Sequence, residues 1–82
     1  MGMAKTISLA DGEKGDRIRI SKLHIEGVMR RRLLDLGFVP GRIVEVLRKS
    51  PLGDPIAFRV SQTCIALRKE ESGQIEGELV DS

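Results

Sequence analysis

Two spacings of apolar residues divide this chain. From residue 17 charged and apolar side chains alternate, Arg17-Ile18-Arg19-Ile20-Ser21, the period-two signature of a strand with one buried face. From Glu26 to Leu36 the period becomes helical: Met29, Leu33 and Leu36 form an apolar stripe with Leu34 beside it, while Arg30, Arg31 and Arg32 turn mostly to solvent. Gly37 stands where a helix closes through a left-handed residue. Pro40-Gly41 suits the centre of a type II turn, because proline pre-sets φ and glycine tolerates a positive one. A β-branched strand follows over Arg42–Lys49; its Ile43, Val44, Val46 and Leu47 offer apolar groups to both faces, as expected of a central strand with the helix on one side.

The remaining punctuation is just as regular. Pro51-Leu52-Gly53-Asp54-Pro55 reads as a tight loop into a strand over Ile56–Val60, with Ile56, Phe58 and Val60 on one face and Ala57 and Arg59 on the other. A strand over Cys64–Arg68, a single helical turn over Lys69–Gly73 and a closing strand over Gln74–Val80 complete the set. In that last strand Ile75 and Leu79 point inward, Glu76 and Glu78 outward. Thr6–Leu9 forms at most a short edge segment, and 11–16 a polar turn. Gly37, Pro40, Gly41, Gly53 and Pro55 are read as turn-setting residues rather than ligand contacts. Five short strands around one helix predict a mainly β chain whose sheet curls to hide its edges, a small partly open barrel with the helix plugging one end.

Composition narrows this further. At 82 residues the chain predicts a single domain over 1–82 with its core at about 7–80, and an aliphatic core, since Phe38 and Phe58 are the only aromatics. One cysteine, Cys64, excludes an intramolecular disulfide and a cysteine-based zinc cage; it is expected to pack at the barrel wall. No apolar run approaches the ~20 residues that span a bilayer, and no signal-peptide pattern is visible, so the expectation is a cytoplasmic domain. The net charge of +2 conceals an asymmetry: all 14 Lys and Arg lie at or before Lys69 with seven acids, whereas five acids and no base follow. That pattern predicts cross-strand ion pairing to the last strand, or an acidic partner on the basic side.

Taken in order, Leu33 to Gly41, the Leu47 to Ile56 stretch with its Gly53-Asp54-Pro55 loop, and Ile65-Ala66-Leu67-Arg68 resemble the FeoA family of small bacterial ferrous iron transport proteins, with Ile75 and Glu76 fitting the closing strand. The resemblance runs from about Ile7 to Leu79. Ser61-Gln62-Thr63 departs from it, standing where many relatives place a glycine turn. The resemblance implies an SH3-like barrel and an accessory or adaptor role in ferrous iron uptake. It also implies a partner, the inner-membrane transporter FeoB, whose cytosolic part includes a GTP-binding domain, and a location at that membrane through the partner. The same fold occurs as a C-terminal domain of iron-dependent repressors, whose DNA-binding domain is not expected within these 82 residues.

Candidate chemistry is sparse. No nucleophile and base, paired carboxylates or phosphate-cradling glycine loop can be assembled from the sequence, so no catalytic residue is assigned and the chain is expected not to be an enzyme. His24 is the only histidine; Fe²⁺ favours imidazole with carboxylate, so an iron site would need a second copy of the chain or exposed carboxylates, and no metal ligand or cofactor is assigned. The candidate partner contacts are Arg30, Arg31 and Arg32 on the helix and Leu52 at the loop tip, which could also fold back on the barrel. For the arginines the alternative is a solvated face with Asp35 as a helical partner. A second function class, an RNA-binding barrel with a basic surface, would want exposed stacking aromatics, which this composition barely supplies. Self-association is left open.

Overall fold

The computed structural model describes residues 6–80. Its strands are β1 (Thr6–Ser8), β2 (Arg17–Leu23), β3 (Ile43–Lys49), β4 (Ile56–Val60), β5 (Thr63–Leu67) and β6 (Ile75–Leu79). Helix α1 covers Val28–Leu36 between β2 and β3, α2 is a single turn over Lys69–Ser72, and a 3₁₀ turn over Leu9–Asp11 follows β1. All strands join one antiparallel sheet in the order β1-β6-β2-β3-β4-β5. The short edge segment read at Thr6–Leu9 is thus a sixth strand, and helix α1 starts two residues after the expected Glu26.

Period-two patterning decides which face is buried. Ile18, Ile20, Val44, Val46, Ile56, Phe58 and Val60 are buried, and Phe38 and Phe58 meet edge to face with ring centroids 6.3 Å apart. The two-sided apolar content of β3 is explained by a bulge, since the register against β4 shifts between Val46 and Arg48 and leaves Leu47 half-buried. Leu67 of β5 and Ile75 of β6 extend the core to strands near both edges of the sheet.

Helix α1 ends through Gly37, at φ 112° and ψ 1°. The Gly37 amide donates to the Leu34 carbonyl and the Phe38 amide to the Leu33 carbonyl, 3.0 Å each, the paired bonds of a Schellman closure. The closure corrects the predicted stripe. Phe38 swings back onto Leu33 and both are buried, so Leu36 is displaced and stays 39% exposed. Met29 and Leu34 supply the remaining helix contacts with the core. Gly41 has φ 93°, and the Arg42 amide donates to the Val39 carbonyl at 3.0 Å, the closing bond of the Pro40-Gly41 turn.

The other corrected expectation is Cys64. It lies in β5 as read, but its side chain is exposed, because it is paired in register with the outward Arg59 rather than with an inward residue of β4. At the preceding turn Ser61 takes φ 58°. A positive φ at the first central residue alone is the II′ arrangement, in which glycine is the usual occupant.

Candidate functional site

Helix α1 carries its three arginines within its first five residues, with Arg30 in the first turn. Its N-terminus is Gly27 with no side-chain cap, and no acidic residue stands in its first turn. Cations near the positive end of a helix dipole are mildly unfavourable, so the helix is held by packing of Met29, Leu33 and Leu34. The three arginines also differ from one another. Arg30 Nη1 donates to the Leu23 carbonyl at 3.2 Å, tying this exposed residue to the β2–α1 connection. Arg31 Nε lies 3.8 Å from Asp35 Oδ1, with both side chains largely exposed, a contact worth only about 0.2–0.5 kcal/mol. Arg32 is exposed on the same helix. Beside them Val28 is 87% exposed, an apolar contact surface that the sequence pattern did not single out because it lies off the helical stripe.

The loop between β3 and β4 presents the second candidate. The Gly53 amide donates to the Ser50 carbonyl at 2.7 Å and the Ser50 amide to the Pro55 carbonyl at 3.1 Å. Pro51 therefore occupies the first central position of a closed turn and Gly53 follows at φ 82°. The Asp54–Pro55 peptide is cis. Asp54 Oδ1 accepts from the Lys69 amide at 3.0 Å, which ties the loop to the start of α2. Leu52 does not fold back: it is 93% exposed at the tip. Helix α1 leads into the Ile43 end of β3 while this loop leaves the Lys49 end, so the two candidates are joined to opposite ends of one strand.

His24 sits just after β2, where its Nε2 lies 2.8 Å from Glu76 Oε1 and its amide donates to the Gln74 carbonyl at 2.7 Å. The pair fastens the β2–α1 connection to β6. Register also places Arg19 opposite Glu78 and Lys22 opposite Glu76, but among the described residues the ion pair made to the last strand is that of His24 with Glu76. Among the described residues no three His, Cys, Asp or Glu side chains gather as a metal-binding group, and no helix is long and apolar enough to cross a membrane. Both phenylalanines are fully buried, leaving no aromatic on which a base could stack.

Comparison with known proteins gives the chain its place. Residues 7–79 match the FeoA domain model. A curated relative from Porphyromonas gingivalis, the Fe(2+) transport protein A/Fe(2+) transporter FeoB fusion protein, is 36% identical over 74 residues, which take in 90% of this chain and 9% of the relative. The chain therefore spans less than a tenth of that protein. Among solved structures, FeoA from Chlorobium tepidum superposes with a TM-score of 0.86 at 35% identity, covering 92% of this chain and 71% of the other. The zinc complex of FeoA from Stenotrophomonas maltophilia, described as a prokaryotic SH3 domain protein, superposes at 0.71 with 30% identity, covering 84% and 86% respectively. The partly open barrel is thus SH3-like, and with the model match extending over nearly all described residues, this chain belongs to the FeoA family of small accessory domains associated with ferrous iron transport.

Proposed function

We propose that this protein is a non-enzymatic adaptor of ferrous iron uptake that docks on the cytosolic part of a FeoB-type transporter and modulates it. The observation that carries the reading is the fused relative, in which a homologous domain shares one chain with the transporter. Fusion holds a domain at high effective concentration beside its target, an arrangement that benefits a contact too weak to persist between free proteins.

Two surfaces fit such a contact. On α1, Arg31 and Arg32 flank exposed Val28, so two solvent-facing cations stand beside an apolar contact spot. Arg30 supports this face by holding its entrance to Leu23. At the other surface Leu52 is an apolar anchor whose turn is already closed by Pro51, Gly53 and Asp54, so little entropy is lost on docking. The domain then works on the cytoplasmic side of the membrane, held there by its partner.

The test is a titration of the protein against the purified cytosolic part of the transporter, at two salt concentrations, with and without a GTP analogue. Saturable binding that persists at moderate salt, and that Arg31→Glu with Leu52→Glu weakens at least about tenfold, is the expected result. Unchanged binding by that double variant would remove these two surfaces from the interface. Absence of binding in every nucleotide state would remove the adaptor reading itself.

A further inference from the structure

A second cluster of arginines lies away from α1, on the outer face of the central strands. Arg17 of β2, Glu45 of β3 and Arg59 of β4 occupy one cross-strand row, paired in register as Arg17–Glu45 and Glu45–Arg59. Their neighbours Ile18, Val44 and Phe58 are buried, so the row faces outward by strand alternation. Arg42, just before β3, joins the same open groove with Ile43 and Ser61. Its Nη1 donates to Ser61 Oγ, so the residue that takes a left-handed conformation at the β4–β5 turn is also the one that steadies this guanidinium. Three arginines therefore line one groove that holds a single carboxylate.

Glu45 does not neutralise them. Its contact with Arg59 is 3.9 Å long between side chains 55% and 39% exposed, and among the described residues this is the one ion pair in the groove. The remaining excess is two positive charges. Every cation here is arginine, whose planar fork of N–H donors suits oxyanions and not apolar ligands. Arg17 and Arg59 stand two strand spacings apart, about 10 Å between backbones, a span their long side chains can close over a single tetrahedral anion.

We propose that this groove binds a phosphate dianion, free or as a phosphomonoester, through Arg17, Arg42 and Arg59. A phosphate dianion cancels the excess charge and offers three terminal oxygens to three guanidiniums, whereas one carboxylate supplies a single charge and two oxygens. Nucleic-acid binding by stacking is disfavoured, since the face carries no aromatic residue and both phenylalanines are buried. The site shares no residue with the surfaces assigned to the transporter, and stands or falls independently of them.

The test is a titration of the whole protein with inorganic phosphate, AMP and a tetraglutamate peptide at constant ionic strength and about pH 8, where phosphate is dianionic, read by amide and arginine side-chain NMR. Saturable shifts at Gly41, Arg42, Arg59 and Ser61, with Arg31 and Arg32 unmoved, are expected. Arg59→Ala and Arg42→Ala should each weaken binding about tenfold. Glu45→Gln should tighten it several-fold by removing the competing carboxylate, an effect that a loss of folding would not produce. Equal affinity for phosphate and AMP makes the phosphate group the whole ligand; tighter AMP binding makes the ester the ligand. Shifts that track arginines everywhere, failure to saturate, or stronger binding of tetraglutamate than of phosphate would each overturn the proposal.

Discussion

Gly37 is the residue whose replacement tests the local architecture most directly. A Cβ built there would lie 2.8 Å from Val60 Cγ1, and the backbone has φ 112°. Two costs combine. A non-glycine residue in the left-handed region loses about 1–2 kcal/mol, partly offset by about 0.4–1 kcal/mol from a less flexible unfolded chain. The overlap with Val60, on a buried strand that cannot retreat, adds about 1–3 kcal/mol as overpacking. The net loss for Gly37→Ala is then about 1–4.5 kcal/mol, centred on about 3 kcal/mol, out of a total stability of about 4–12 kcal/mol for a chain of this size. Gly41 is the matched control: its φ is 93° but nothing lies within 4 Å of the added Cβ, so Gly41→Ala carries the backbone cost alone. Thermal unfolding followed by far-UV circular dichroism should place Gly37→Ala about 10–25 °C below the unmodified protein. Gly41→Ala should fall by only a few degrees. In a Val60→Ala background the penalty at Gly37 should shrink by about 1 kcal/mol or more, since the clash has lost its partner. Equal melting of the two glycine variants, or no coupling to Val60, would refute the account. Gly37→Val adds branching to the same clash and should be more damaging still.

Three further outcomes follow from the same geometry. Gly77→Ala should cost more than Gly37→Ala, because its Cβ would lie 2.5 Å from the Arg19 carbonyl oxygen and 2.6 Å from Ile18 Cγ2, and backbone in mid-sheet yields less than a side-chain methyl; a melting temperature within a few degrees of the unmodified protein would contradict this. Phe58→Leu should lose about 1–3 kcal/mol in chemical denaturation, of which a double-mutant cycle with Phe38→Leu should assign about 0.5–1.5 kcal/mol to the edge-to-face pair. Leu52→Glu should leave stability within about 0.5 kcal/mol while weakening transporter binding, so a clear drop in melting temperature would show that the tip packs on the barrel.

Much of the fold was legible because it is specified by neighbours in sequence. The alternation over Arg17–Ile20 and Ile56–Val60 fixed which residues face inward, since a strand offers only two faces. The turn chemistry of Gly37, Pro40-Gly41 and Pro51–Gly53 placed the connections, because positive φ and a fixed proline φ are properties of single residues. Composition alone pointed to a core built mainly of aliphatic residues, with Phe38 and Phe58 as its aromatics. What tertiary structure decided concerns residues far apart in the chain. β6 inserts between β1 and β2, and its close approach to β2 makes Gly77 necessary, which nothing in its local sequence announces. Phe38 takes the core place that helical periodicity offered to Leu36, because the chain turns back after Gly37. The β4–β5 register sends Cys64 outward beside Arg59. Arg30 is tied to Leu23 by a hydrogen bond, while Arg17, Arg42 and Arg59, spread over more than forty residues, line one groove. Local patterns determine conformation and the inward face, whereas strand order and register determine which side chains meet, and the charge clusters of this barrel are a product of the latter.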